Sequence, residues 1–375
     1  MIYVVSRGET LYTIAESFGV PVEKIAFDNQ IANPDNLAEG QALLILQPGE
    51  EGEYRDEMQV TGYAYPFAEP FILEQAFPAL NELLVFSYGF TFEGELVPPL
   101  KDDLWMIESA WKNGIEPIMV LTPFTEGTFN NQLVKVLVEN KEIQERLIQN
   151  VLETVQQKGY AGVDIDFEYI LPDNRIAYAE FVGSMQEILS GQGYQTSVAL
   201  APKERADQPG LLYEGMDYRL LGENADYVFL MTYEWGYTYG PPMAVAPLNK
   251  VRQVVEYALT EIPREKIMMG IPNYGYDWTL PYERGVSRAR LIGNVEAVNL
   301  AVENGAAIQF SGQAQSPYFT YMQNSQIHEV WFEDVRSISY KLEMARDYAL
   351  RGVGYWNLMR PFRANWLMLE RPAEL

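Results

Sequence analysis

Tyr160-Ala161-Gly162-Val163-Asp164-Ile165-Asp166-Phe167-Glu168-Tyr169 decides the fold of this 375-residue chain. Apolar and acidic residues alternate, and alternate residues of a strand share a face. Asp164, Asp166 and Glu168 therefore point one way, about 7 Å apart per step. Val163, Ile165 and Phe167 point the other way. A solvated acidic edge strand is the plain reading, but the apolar alternate set and the preceding helical segment, Ile148 to Val155, speak against it. On an inner strand three carboxylates are costly to bury. Close like charges cannot all ionise readily, so at least one pKa must rise. A raised carboxyl is what a general acid needs near neutral pH.

Seven further runs of this apolar kind flank it: Met58–Ala64, Leu83–Gly89, Ile115–Leu121, Gln195–Ala201, Asp226–Thr232, Lys266–Asn273 and Gly352–Leu358. Helical patterns fill most gaps, with Tyr178, Phe181, Met185 and Leu189 on one face and Val251, Val254, Val255 and Ala258 on another. Eight apolar strands alternating with helices predict parallel strands covered on both sides, an α/β fold of the (β/α)8 TIM-barrel type. Glu168 then sits at the C-terminal mouth, where barrel enzymes place their chemistry. The stretch from Trp278 to Arg351 is longer than one helix needs. It predicts a small α+β insertion at about 279–340, with Val330-Trp331-Phe332 as a strand and Trp278 as a candidate for the leaving-group side. His328 lies in it and is assigned no role.

Ahead of the barrel, residues 1–47 read as a small βααβ unit. Leu11, Ile14, Ala15 and Phe18 form one helix face, with Thr10 as N-cap and Gly19 as stop. A second helix covers about Val22 to Asn29, and Ala42 to Leu46 is a strand. Residues 48–57, acidic and glycine-containing, read as a linker, and residues 58–375 as the catalytic domain.

Composition narrows the chemistry. There is no cysteine and a single histidine, so thiolate or multi-histidine metal sites and a cysteine nucleophile are excluded. A Ser-His-Asp triad is excluded unless His328 supplies it. The 27 basic residues against 52 acidic give a formal net charge of −25, which repels nucleic acid and anionic lipid. No stretch has the length of a membrane span, and the N-terminus lacks the long apolar core of a signal peptide. A neutral ligand read by hydrogen bonds and aromatic stacking fits this charge; aromatic residues, 13% of the chain, also fill cores.

Two resemblances follow from these residues. The pattern Tyr3, Val5, Gly8-Glu9-Thr10-Leu11, Ile14-Ala15, Phe18-Gly19, Asn29, Pro34, Leu37, Gly40-Gln41 and Leu44-Ile45 resembles a lysin motif (LysM) module. That family binds N-acetylglucosamine polymers, peptidoglycan and chitin. The resemblance places the sugar between Gly8, Glu9, Thr10 and Leu11 on one loop and Ile31, Ala32, Asn33 and Pro34 on the other. The acidic strand resembles the Asp-x-x-Asp-x-Asp-x-Glu signature of glycoside hydrolase family 18, except that Ala161 stands in place of the first acid. Phe229-Leu230-Met231-Thr232-Tyr233-Glu234-Trp235 is similar to that family's Met-x-Tyr strand, with Glu234 where Asp is common. Gly270-Ile271-Pro272-Asn273-Tyr274-Gly275 and Gly354-Tyr355-Trp356-Asn357 are similar to its last two barrel strands.

The resemblance implies a retaining glycosidase whose nucleophile is the substrate's own 2-acetamido oxygen, the exception to the two-carboxylate rule. Glu168 is then the acid and base, Asp166 the partner of the acetamido N–H, Asp164 a further catalytic acid of the matched signature, and Tyr233 the donor to the acetamido oxygen; the signature's first acid, an inner support in that family, is the one replaced by Ala161. Trp356, Met231, Glu234, Tyr274, Asn273 and Tyr65 are the implied substrate-binding residues. No cofactor or metal is implied, and no protein partner is named by the sequence. A LysM unit joined to such a barrel resembles spore cortex-lytic N-acetylglucosaminidases, which are made in the mother cell without an export signal and act in the coat and cortex region during germination. That implies peptidoglycan cleaved after N-acetylglucosamine. A chitinase or chito-oligosaccharide hydrolase, and a silent glycan-binding protein on the same fold, stay open; the latter lack the terminal Glu that is present here as Glu168.

Overall fold

A computed structural model describes residues 1–47, 58–125 and 128–369; the expected linker at 48–57 lies outside the described residues. The N-terminal unit pairs Ile2–Val4 antiparallel with Ala42–Leu44 around helices Leu11–Phe18 and Val22–Asp28. Thr10 caps the first helix in a reciprocal box with Thr13, and Gly19 ends it in the left-handed region. Leu11, Ile14, Val20, Ile25, Leu43 and Ile45 form a core of its own.

Eight parallel strands follow: β1 (Gln59–Ala64), β2 (Glu82–Phe90), β3 (Glu116–Leu121), β4 (Gly162–Ile165), β5 (Gln195–Leu200), β6 (Tyr227–Leu230), β7 (Ile267–Pro272) and β8 (Gly352–Trp356). Each pairs with the next, and β8 pairs with β1, so the sheet closes into a barrel. The two predicted helix faces are fully buried within Arg175–Ser190 and Leu248–Glu261. Strand β4 is shorter than the sequence predicts. The ladder continues one step, Asp166 N donating to Leu121 O at 3.0 Å, and then the chain turns away, with Tyr169 at φ 58°. Asp166 and Glu168 thus stand on the strand's C-terminal extension rather than within the strand.

The insertion is an antiparallel sheet of strands Gly275–Leu280, Arg290–Ile292, Gln309–Ser311, Ser316–Gln323 and Gln326–Trp331, crossed by the helix Asn294–Glu303. Ile292, Ala297, Phe319, Val330 and Phe332 make its separate core. The expected bounds of about 279–340 shift at both ends. The first insertion strand begins at Gly275, three residues after β7. The helix Val335–Asp347 packs on β7 and β8 and belongs to the barrel.

The N-terminal unit is docked, not tethered. Arg363 pairs with Asp28 and lies over the Phe27 ring, while its backbone N–H donates to Gln30 Oε1 at 2.7 Å. Arg336 donates to Gly40 O at 3.0 Å, and Ile308 N to Glu39 O at 2.8 Å. A Cβ at Gly40, which sits at φ +81°, would fall 1.9 Å from Ile308 O, so only glycine permits this approach. Leu44 and Leu46 join the barrel's own apolar cluster.

Candidate active site

Barrel closure gathers the acids. Asp164, fully buried in the lumen, accepts from Ser197 Oγ of β5 at 2.6 Å and from Tyr63 OH of β1 at 2.8 Å. Burial raises its carboxyl to about 6, with both hydroxyls opposing the rise. Asp166 is 6% exposed, and its Oδ1 has no hydrogen-bond partner. Burial first, then the charges of Glu168 and Asp164, hold it well above the usual carboxylate range. Glu168 is half-buried at the mouth. Burial, and next the charge of Glu234, raise it to about 7. Asp166 is therefore the acid most opposed by its neighbours' charges, and burial helps the cluster retain a proton near neutral pH.

Tyr233 is 9% exposed; burial first, then the charges of Asp166, Glu168 and Glu234, hold its hydroxyl well above its ordinary value. It stays a neutral donor. Its ring needs room from β7: a Cβ on Gly270 would approach its Cε1 to 2.8 Å, which explains the glycine of that motif. Glu234 sits beside it at φ 68°, accessible to solvent yet recessed, and accepts from Tyr274 OH and from Tyr276 OH at 3.0 Å. Its surroundings raise its carboxyl against those two hydrogen bonds. Trp356, partly exposed, meets Phe86, Tyr63 and Tyr65 edge-on at 5.0, 5.5 and 6.1 Å between ring centroids. Tyr65 stacks on Phe67 at 4.9 Å. Met231 lies partly buried at the end of β6. Across the mouth, Tyr169 neighbours Phe129, whose ring meets Phe124. Two groups of aromatic rings thus lie near the acids, one around Trp356 and Tyr65 and one around Tyr169 and Phe129.

Other expected positions serve the scaffold. Asn273 is 1% exposed; its Nδ2 donates to Asn357 O and Arg360 O at 3.0 Å each, and its Oδ1 accepts from Asn294. Its amide is spent tying β7 to the rim segment after β8, which corrects the expectation of substrate contact. Trp278 is buried, its indole N–H bonded to Gly240 O at 2.8 Å, so no face remains for a sugar. His328 Nδ1 lies 2.9 Å from Asp277 Oδ1, with the imidazole stacked on Tyr321.

In the N-terminal unit the two expected loops touch, Leu11 N donating to Pro34 O at 2.9 Å. Gly8, Thr10, Ile31, Asn33 and Pro34 are at least partly accessible. Leu11 is a fully buried core residue, so only its backbone is at the loop. Glu9 is occupied by Ser6 N and Tyr3 OH, and these bonds, the backbone one first, lower its carboxyl.

Sequence reasoning missed Tyr63, Ser197, Phe86 and Tyr276. Ser197 is the signal available in retrospect, a hydroxyl immediately before the apolar run Val198–Leu200. Lower in the barrel, Tyr227 OH donates to Glu82 at 2.7 Å, and Gln195 to the same carboxylate at 2.9 Å. Glu82, at the start of β2, is thus a further buried carboxylate, held by one hydroxyl and one amide.

Such a barrel, with paired acids ending β4 and aromatic rings near them, defines a glycoside hydrolase. The chain belongs to glycosyl hydrolases family 18, whose model matches residues 127–360, and the LysM domain matches residues 3–45. It is 35% identical to the cortical fragment-lytic enzyme of Bacillus subtilis strain 168, over 98% of this chain and 97% of that protein. The crystal structure of the Bacillus cereus spore cortex-lytic enzyme SleL superposes with a TM-score of 0.81 at 33% identity, covering 98% of this chain and 86% of that one. A chitinase from Chromobacterium violaceum shares the fold, with a TM-score of 0.78 at 23% identity over 85% of this chain.

Proposed function

We propose that this glycoside hydrolase cleaves spore cortex peptidoglycan after N-acetylglucosamine, with retention, through the substrate's 2-acetamido group. The observation that carries the reading is Asp166 Oδ1: a buried acceptor without a donor, beside an acid raised to about 7. An acetamido N–H supplies the missing donor. In the proposed roles, Glu168 protonates the leaving oxygen and then activates water. Asp166 aligns the acetamido group and stabilises the oxazolinium charge, and Tyr233 donates to the acetamido oxygen. Asp164, held by Ser197 and Tyr63, keeps Asp166 in a field of like charge. Trp356 stacks beneath the ring, with Tyr65, Met231 and Tyr274 around it. Attack from within the substrate avoids much of the entropy cost of a second reactant.

The substrate assignment is supported by the cortical fragment-lytic relative, which aligns over nearly its whole length. The same relation supports a place in the spore cortex region. LysM and barrel both favour neutral, acetamido-bearing glycan. Among the described residues no helix is long and apolar enough to cross a membrane. Digestion of defined cortex muropeptides and of chitin oligomers, read by mass spectrometry, tests the assignment. Muropeptides with reducing-end N-acetylglucosamine are the expected products; efficient cleavage of chitin oligomers alone points to the chitinase reading instead.

A further inference from the structure

The docked LysM unit and the insertion enclose a cavity of about 310 Å³. One wall is the loop with Ile31, Asn33 and Asn36. The other is the helix Asn294–Glu303, which presents Val295, Asn299 and Glu303 at four-residue spacing, with Val298 and Val302 beside them. Ala297 and Ala301 of that helix are buried in the insertion core, and Val298 and Val302 pack against the same core with part of their surface left exposed. Glu333 closes the floor: it is 1% exposed, gives one oxygen to Lys341 at 2.8 Å and leaves Oε1 without a hydrogen-bond partner. The lining carries three carboxylates, seven side-chain amides and no cation.

A second, open depression of about 620 Å³ shares Val295, Asn299 and Glu303 with the first and runs on to Arg360 and Pro361. Arg360 belongs to the rim segment four residues beyond Trp356, the segment that Asn273 ties to β7. Two adjoining depressions thus share one helix and run from the LysM loop to the segment after β8.

We infer that these depressions act as one groove that binds further sugar units of the glycan strand, so that LysM unit and barrel hold one chain along a path built jointly by the Ile31–Asn36 loop and the Asn294–Glu303 helix. Two of the three acids are already ion-paired, Glu333 with Lys341 and Asp334 with Arg336, and the outer depression carries Arg290 and Arg360. Amides and valines suit hydroxyls, acetamido groups and the apolar faces of sugar rings, and the volume is at the lower end for small-ligand sites. The Glu333 oxygen needs a donor, which a sugar hydroxyl or acetamido N–H provides. The inference rests on the glycan reading above.

Hydrogen exchange on full-length Glu168→Gln protein with N-acetylchitohexaose, a soluble N-acetylglucosamine hexamer, tests it. Protection is expected at 231–235 in the mouth and also at 29–36 and 294–303. Val298→Trp, which fills the cavity, should abolish protection at the two groove segments and leave the mouth protected. Asn299→Arg, at an exposed helix position, serves as the second variant. In the active enzyme either change should lower kcat/KM for the hexamer about 10-fold, equivalent to about 1.4 kcal/mol, and leave the trimer unchanged. Protection of the mouth alone, or of the LysM loops without 294–303, overturns the groove and leaves the active-site reading standing. Protection at neither place overturns both.

Discussion

Asp103 and Asp166 are both buried carboxylates of the same barrel, and they have opposite characters. Asp103, with no exposed surface, accepts from Lys158, from Tyr160 and, at 2.7 Å, from Tyr88. Burial pushes its carboxyl up, but these bonds outweigh burial and leave it below its ordinary value. Asp166 is surrounded by Asp164 and Glu168, with one oxygen unpartnered, and no cation offsets its burial among the described residues. A buried acid given a cation becomes a brace between segments; one given only acids holds a proton and awaits a donor.

The sign of linkage separates the two. Asp103 has a lowered folded pKa, so its stabilisation is present above the unfolded value near 4 and is lost as pH falls through the folded one. Glu168 and Asp164 have raised folded pKa values, about 7 and about 6. The folded state then binds more protons than the unfolded state, so stability declines as pH rises from about 4 through those values.

The sharpest break is Glu168→Gln, expected to lower kcat by about 10³–10⁴-fold with the fold retained; because it removes an acid the fold disfavours, the variant should also melt higher at pH 7, by calorimetry. Asp166→Asn is expected to cost roughly 10²–10³ in kcat, the scale of a lost transition-state contact, in steady-state assays on a muropeptide. Lys158→Met reverses the comparison. It strands Asp103 and should cost about 3 kcal/mol in urea unfolding, with kcat unchanged. Smallest is Glu234→Gln. Removing that negative neighbour lowers the pKa of Glu168, so the alkaline limb of kcat/KM, near pH 7 in the parent, moves to lower pH.

The barrel was legible because eight apolar runs each report locally on a strand covered on both sides. The acids were legible because their alternation survives the early end of β4 at Ile165. What stayed hidden depends on closure and docking. Tyr63 and Ser197 come from strands far apart in sequence, 101 and 33 residues from Asp164, and only the closed lumen brings both hydroxyls to its carboxylate. Motif letters misled where one pattern serves both structure and chemistry: Leu11 fills a core, and Asn273 ties a loop. The LysM unit read as separable because its own helix and core are complete. Its docking uses scattered residues, Asp28, Gln30 and Gly40 against Arg363, Arg336 and Ile308, and no local pattern reports that.

The central claim is that one acid, Glu168, acts with the ligand's own amide as nucleophile. Paired 4-methylumbelliferyl β-glycosides, identical except for the 2-acetamido group, test it in a single rate comparison. The account predicts release of fluorophore from the acetamido sugar only. Comparable turnover of the plain glucoside by the same protein would contradict it, because a side chain would then be doing the work assigned to the substrate.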